Sequence, residues 1–321
     1  MKNDRVDHYL LIRKIELRST RSGSDFLSTE LGDKSTTLNA NVWEGFTEVA
    51  AKGKVGDVVK ISGTVEEYQG SLQIRVSSIR LAISADKVSA NNFLPQSKRD
   101  LKEMKDEFNK RIKNNSNEFL KNLLTQIFAG ERFELFCTAP AGKSWHHAYI
   151  HGLLEHTLEI IKICELMCEF HQELNKDLLI AGAMIHDLGK IEELRYDSAF
   201  EYTDKGKLIG HIVIASNIVR DEIKKISGFP VELENNLIHI ILSHQGKLEH
   251  ASPVVPKTAE AIALYQADEL SAKVNAYKNV IESELKTGSN WTRFIQLAET
   301  DLHNFKLNNS SEESAKKTLF D

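Results

Sequence analysis

The sequence predicts a multidomain protein, an N-terminal five-stranded β-barrel followed by an all-α helical bundle. Two patterns carry that prediction. Between residues 8 and 86 apolar side chains recur with a period of two, and from about 145 to 300 they recur with the 3.6-residue period of a helix. Histidine divides the chain at the same place. Ten of the twelve lie between residues 146 and 250, and the first 145 residues hold only His8. A chain of 321 residues has room for two cores.

The barrel elements follow in order. "HYLLIRKIEL" and "DFLSTEL" read as the first two strands. In "TTLNANVW", Leu38, Ala40 and Val42 alternate with Asn39, Asn41 and Trp43, the pattern of a half-buried strand. A short helix around "FTEVAAKG" precedes "DVVKISGTVEEY". The Gln69-Gly70 turn then leads to "SLQIRVSSIRL", where Leu72, Ile74 and Val76 face one way and Gln73, Arg75 and Ser77 the other. Five strands with a helix after the third is the layout of an OB-fold. Such folds hold single strands by stacking bases on aromatic rings beside a positive groove. Trp43 and Arg75, on the polar sides of their strands, are the substrate-binding candidates here. Phe26 and Tyr68 are read first as barrel packing, since aromatic residues are mostly core. Arg13, Lys14, Arg18 and Arg21 cluster near the first strand, but neighbouring acidic residues nearly cancel them.

Residues 87–96 read as a linker ending at Pro95, and 97–128 as helical. Further helices are marked by the leucines and isoleucines from 153 to 163, by "DLLIAGAMI", "LIGHIVIASNIV" and "LENNLIHIILS", and by "PKTAEAIALYQADELSAKV", with Pro256 suited to a helix start. The expected domains are 1–86, a linker and connecting helix at 87–130, a helical domain at 131–300, and a polar tail at 301–321.

Hydrophobic residues make up 41% and charged residues 27%, with a net charge of −5. No global basic field exists, so nucleic-acid binding must come from a local patch. No apolar run is long enough to span a bilayer, and "MKNDRVDHYLLIRK" is too polar for a secretory signal. Three cysteines, an odd and sparse count, point to a reducing cytoplasm.

In "GAMIHDLGK" a histidine and an aspartate, His186 and Asp187, stand together at the end of an apolar helix. Burying such a pair costs free energy unless something satisfies it. His156, His211, His244 and Asp268 fall in similar apolar contexts, each on another expected helix. Any one of these histidines could be a hydrogen-bonded core residue. Together, imidazole and carboxylate form a ligand set suited to Mn, Fe, Ni, Co or Zn.

The order His156 … His186-Asp187 … Asp268 resembles the HD superfamily of metal-dependent phosphohydrolases, and His211 and His244 resemble the added ligands of its two-metal members. "HHAYIHGLLEHTLEI", "GAMIHDLGKIEEL", "GKLIGHI", "ILSHQG" and "SPVVPKTAEAIALYQADELSAKVN" resemble, in order, the segments of the YhaM-type 3′-to-5′ exoribonucleases. An OB-fold ahead of an HD-domain helical bundle is also that family's architecture. The resemblance covers about residues 8 to 280. Two positions depart from it. Gln245 stands where the family often has a second histidine, and His151 where it often has glycine.

The resemblance implies two divalent ions, Mn²⁺ first, with Mg²⁺, Fe²⁺, Ni²⁺, Co²⁺ or Zn²⁺ as alternatives. It places His156, His186, Asp187 and Asp268 on one ion, and His211, His244 and a bridging Asp187 on the other, the ions about 3.5–4 Å apart. It implies hydrolysis of single-stranded RNA, and also DNA, from the 3′ end to nucleoside 5′-monophosphates, with Asp187 and Lys190 at the chemistry, and self-association into a homo-oligomer. Lys190 reads either as a phosphate contact or as a solvated helix-end lysine. His147 is a weaker candidate for the scissile phosphate, because Trp145-His146-His147 could equally be a structural helix start. Two readings compete: an HD hydrolase of nucleotides or cyclic dinucleotides with a regulatory OB-fold, and a single-strand-binding protein with a relic HD site.

Overall fold

A computed structural model describes residues 4–305, apart from 21, 35, 69–70, 197–198 and 286–288. The Gln69-Gly70 turn, Arg21 and the tail from 306 onward therefore lie outside the described residues. The chain divides into two units, with the boundary between Gln96 and Ser97.

The first unit is a closed barrel. Its strands are β1 (Arg5–Ser19), β2 (Asp25–Gly32), β3 (Thr37–Val42), β4 (Val58–Tyr68) and β5 (Ser71–Leu81), paired in the order β1-β2-β3-β5-β4. Only β3 and β5 run parallel; the other pairs are antiparallel. β1 serves two neighbours, pairing with β4 up to Leu11 and with β2 beyond it. A register shift between Ile12 and Lys14 bends the strand so that it can do so. The period of two sends Leu10, Ile12, Leu27, Leu31, Ala40, Val42, Ile61 and Ile74 inward. Helix α1 (Thr47–Lys52) covers one end with the buried Val49.

The second unit is mainly helical. In chain order its elements are α2 (Leu101–Asn114), α3 (Glu118–Ile127), α4 (Gly130–Thr138), α5 (Gly152–Phe170), α6 (Lys176–Ile185) and the short α7 (Lys190–Glu193). A two-residue hairpin, β6 (Leu194–Arg195) with β7 (Glu201–Tyr202), leads to α8 (Asp204–Ile209), α9 (His211–Ile223), α10 (Val231–Ser243) and α11 (Ala259–Glu284). α6 is the central helix, buried at every residue from Leu178 to Ile185, which is why "DLLIAGAMI" is apolar on all faces rather than one. α5, α10 and α11 pack around it. Among the described residues, no helix is long and apolar enough to cross a membrane.

The structure differs from the expectations at four places. Residues 97–128, expected as a connecting helix ahead of a domain that starts at 131, form two helices within the helical unit. Their break at Asn115–Ser116 is pinned to Asp177, whose backbone carbonyl accepts from Asn115 Nδ2 at 3.1 Å. α11 starts at Ala259 under a Thr258 cap, so Pro256 lies ahead of the helix. Trp145-His146-His147 form an irregular turn rather than a helix start, because α5 begins only at Gly152. Residues 289–300, expected as helix, and 301–305, expected as the start of the polar tail, are extended and turn-like, with bridges between Trp291 and His303 and between Ile295 and Thr300. β-branched and aromatic residues such as Trp291, Thr292 and Ile295 favour extended backbone.

Candidate metal centre

Five helix or helix-cap positions and one turn bring the sequence-predicted residues together. His156 projects from the middle of α5, and His186 and His244 cap the C-termini of α6 and α10. His211 opens α9, and Asp268 lies on α11. Asp187 sits at the centre. Its Oδ2 is 3.3 Å from His186 Nε2 and 3.7 Å from His156 Nε2. Its Oδ1 is 3.5 Å from His211 Nε2 and 3.7 Å from His244 Nε2. Asp268 Oδ1 lies 3.1 Å from His156 Nε2, on the same side as Oδ2. Two groups result, His156–His186–Asp187 and Asp187–His211–His244, each with its donor atoms within 4.8 Å of one another.

Every one of the four imidazoles is held from behind. His186 Nδ1 donates to Ala183 O at 2.8 Å and His244 Nδ1 to Ile241 O at 2.7 Å. Carbonyls only accept, so each Nδ1 carries the proton and each Nε2 points inward with its lone pair. His211 Nδ1 donates to Glu193 Oε1 at 3.0 Å, and the same oxygen accepts from the His211 backbone N–H. Ser271 Oγ gives its proton to Glu159 Oε2 at 2.9 Å and thereby accepts from His156 Nδ1 at 3.2 Å. Such outer partners fix tautomer and ring orientation at metal sites.

The fit to a cation is tested by what is left unpaired. His156 Nε2, His186 Nε2, His211 Nε2 and Asp187 Oδ1 are buried without a hydrogen-bond partner among the described residues. Orphan polar atoms are rare in folded interiors, and here they converge. The electrostatics agree. Burial alone would raise the Asp187 carboxyl, but Lys190, His186 and His211 hold it well below the usual carboxylate range. Burial opposes charge on His186, yet Asp187 raises it above the ordinary imidazole value. Burial, reinforced by His186, pushes His244 down to about 4. The carboxylate attracts positive charge from every side, and the donor set, imidazole nitrogen with carboxylate oxygen, fits a divalent transition metal.

Lys190 is not a solvated helix-end lysine. It is 6% exposed and pairs with Asp187 Oδ2 at 2.6 Å. It also lines a cleft of about 260 Å³ at the centre, together with Trp145, His146, Tyr202, His211 and Gln245. Gln245 thus keeps a place on the cleft, its Nε2 3.5 Å from His244 Nε2. His147 does not reach the cleft. It is fully buried, its ring centre 5.0 Å from that of His156 and its Nε2 3.3 Å from Glu159. His146 lines the cleft in its place.

His151 departs from glycine at a position whose backbone is left-handed, with φ 69°. Glycine adopts that conformation freely. Here the histidine ring is anchored, Nδ1 donating to Cys137 O at 2.7 Å, and the residue stands at the N-cap of α5. Glu193, Ser271 and Glu159 were not singled out in the sequence. Polar helix residues read as solvent-facing, and nothing local marks them as partners of a histidine.

On the barrel, Trp43 and Arg75 are both exposed. Phe26 and Tyr68, expected to pack the interior, do not. Phe26 stacks on Trp43 at 4.6 Å between ring centres, outside the barrel. Tyr68 joins them around a groove of about 440 Å³ that also takes in Arg18, Asn41 and Gln73. The alternation that buries Ala40 and Val42 puts this face outward.

A closed five-stranded barrel with an aromatic outer face, followed in the chain by a helical domain that focuses four histidines on one aspartate, defines the class: a nucleic-acid-binding OB-fold joined to an HD domain. Family comparison agrees, matching an HD domain over residues 153–273 and an OB-fold nucleic acid binding domain over residues 12–82. Over 279 residues the chain is 34% identical to the 3′-5′ exoribonuclease YhaM of Shouchella clausii (strain KSM-K16), covering 86% of each chain. It is 32% identical to that of Geobacillus sp. (strain WCH70), covering 92% of this chain and 90% of the relative. With the enzyme of Bacillus subtilis (strain 168) it shares 30% over 92% of this chain and 93% of the relative. The chain belongs to the YhaM 3′-5′ exoribonuclease family.

Proposed function

We propose that the protein is a metal-dependent exoribonuclease that shortens single-stranded RNA, and also single-stranded DNA, from the 3′ end to nucleoside 5′-monophosphates. The observation that carries this reading is the division of Asp187, one oxygen toward His156 and His186 and the other toward His211 and His244, where the Nε2 atoms of His156, His186 and His211 have no hydrogen-bond partner among the described residues. His156, His186, Asp187 and Asp268 would hold one divalent ion, and His211, His244 and Asp187 the second, with Mn²⁺ the first choice. Bound there, such ions supply an ionised water for attack at phosphorus and neutralise charge on the phosphoryl oxygens.

The chain's own residues position and balance. Lys190, on the cleft wall, offers its ammonium to a non-bridging phosphate oxygen. Glu193 and Ser271, with the carbonyls of Ala183 and Ile241, keep each Nε2 aimed inward. Trp43 and Phe26, with Arg75 on β5 paired in register with Asn41, hold the strand by stacking and charge. The names of the relatives supply the polymer and the direction of cleavage.

The test is a 5′-labelled oligoribonucleotide incubated with the purified protein and Mn²⁺, beside a panel of nucleotides and cyclic dinucleotides. Progressive shortening with release of mononucleotides is expected, and Asp187→Ala removes it while circular dichroism stays that of the folded protein. Internal fragments alone, turnover of the small nucleotides alone, or no cleavage with any divalent ion overturns the reading.

A further inference from the structure

A groove of about 530 Å³ lies between the second half of α11 and the 289–305 segment, outside the cleft at the metal centre. Ser144 and Trp145 line both, so the two cavities share a wall. The next residue, His146, has its ring centre 5.2 Å from that of His156. The stretch shared by groove and cleft therefore leads directly to His146, beside His156. We propose that it holds the nucleobases on the 5′ side of the scissile phosphate, with Phe294 as the stacking surface and Trp145 and Leu297 beside it. The proposal rests on the exoribonuclease reading.

The first support is how the groove is built. Phe294 and Leu297 are 61% and 70% exposed. Their segment is nonetheless firmly anchored. Thr292 is fully buried, its N–H donates to Leu302 O at 2.9 Å, and its Oγ1 accepts from Leu302 N at 2.9 Å. Ile295 N donates to Thr300 O at 2.8 Å. A segment fixed by its buried residues that turns its rings to solvent is a platform. Aromatic platforms are what single strands bind, because every base has a π-face.

Charge and chemistry give the second support. In a chain of net charge −5, the described residues lining this groove include no carboxylate. Asn279 and Ser144 add amide and hydroxyl groups beside the apolar surface, the mix that base edges require. Continuity gives the third. A strand whose 3′-terminal nucleotide occupies the 260 Å³ cleft must leave it on the 5′ side, and the groove shares the Ser144–Trp145 wall.

The test uses the full chain with Mn²⁺ and separates KM from kcat. Phe294→Ala, at an exposed position, keeps the melting temperature of the parent. It raises KM for an oligoribonucleotide about tenfold, the scale of one lost stacking contact, and leaves turnover of bis(p-nitrophenyl) phosphate unchanged. Leu297→Ser has a smaller effect in the same direction. An abasic residue at the penultimate position weakens the parent and adds nothing to Phe294→Ala. If the parent shortens RNA and both variants keep its KM, the groove has no such role and the exoribonuclease reading stands. If the parent hydrolyses the small diester and no oligonucleotide, the exoribonuclease reading fails and this proposal falls with it.

Discussion

Lys190 Nζ lies 2.6 Å from Asp187 Oδ2, and both side chains are closed off from solvent. Three positions apart in sequence, they meet across a single helical turn. The pair stands among four imidazoles whose Nε2 atoms face the same carboxylate. Its ammonium keeps that carboxylate ionised where burial would protonate it.

Lys190→Met separates the two roles of the ammonium. Without divalent ions it leaves a buried carboxylate short of its strongest partner, and a loss of about 3–5 kcal/mol is expected, the usual result of breaking a buried pair. With divalent ions present the loss shrinks, because they take over the neutralisation. Turnover falls about 10²-fold, as for other lost charge-stabilising groups. Urea unfolding with and without chelator checks the stability claim. An equal loss in both conditions would show that the lysine and the ions do not share one carboxylate.

Glu193→Gln weakens the His211 side only. Glu193 accepts from both the ring and the backbone of His211, so the change removes a charge and leaves the shape. Loss of such an outer partner costs about 10- to 100-fold in metal affinity or activity. Activity is expected to return at high Mn²⁺ concentration. A variant that stays slow at saturating metal would place Glu193 in the chemistry itself.

The pH dependence of the metal-free protein follows from the buried imidazoles. Burial holds His244 to about 4, His146 to about 3 and His156 well below 6.5. His186 runs the other way: burial opposes its charge, but Asp187 outweighs burial and raises it. A group depressed in the folded state is neutral there while the unfolded chain still binds its proton. Its stabilisation is complete above about pH 6.5 and is lost as pH falls toward the folded value. Three such groups act against one. Stability is expected to fall from about pH 6.5 toward pH 4, at up to roughly 1.4 kcal/mol per unit for each depressed group. Urea midpoints in chelator, taken across that window, measure it; a midpoint that holds or rises on acidification contradicts the balance.

Trp43→Ala on the barrel removes a ring that is already stacked on Phe26. Affinity for single-stranded RNA is expected to fall by about 1–3 kcal/mol, the range for one stacked base. Turnover of a small diester is untouched. Fluorescence anisotropy of a labelled oligonucleotide, with Asp187→Ala as background to prevent cleavage, reads the loss. Unchanged affinity would move the strand-binding face elsewhere on the barrel.

The candidate ligand set was legible as a cluster because each member breaks an apolar pattern. A histidine in "GLLEHTLEI" or at the end of "IHIILSH" interrupts a buried stripe, and the interruption shows in the chain itself. The residues that aim those rings were not legible. Glu193 stands 18 positions from His211 and Ser271 stands 115 from His156, and a charged or hydroxyl residue on a helix looks like any solvated one. The barrel strands were legible from alternation, which says what faces outward but not what meets there. Phe26 and Trp43 are far apart in sequence, and only strand pairing between β2 and β3 brings them face to face. The 289–305 segment follows a long helix, so its extended form was masked by the periodicity before it.

Gly189 adopts ordinary right-handed backbone, φ −63°, so its place in "HDLGK" is not a matter of turning the chain. A side chain there would collide with the main chain of the neighbouring helix: a Cβ would lie 2.0 Å from His211 O and 2.9 Å from Ala215 N. The turn that carries Asp187 and the helix that carries His211 thus abut backbone to backbone. The distance between those two side chains is gauged by peptide groups, which do not change rotamer or repack. A single methyl group at this joint would act as a shim, pushing the α9 side of the centre away from Asp187 while altering no donor atom.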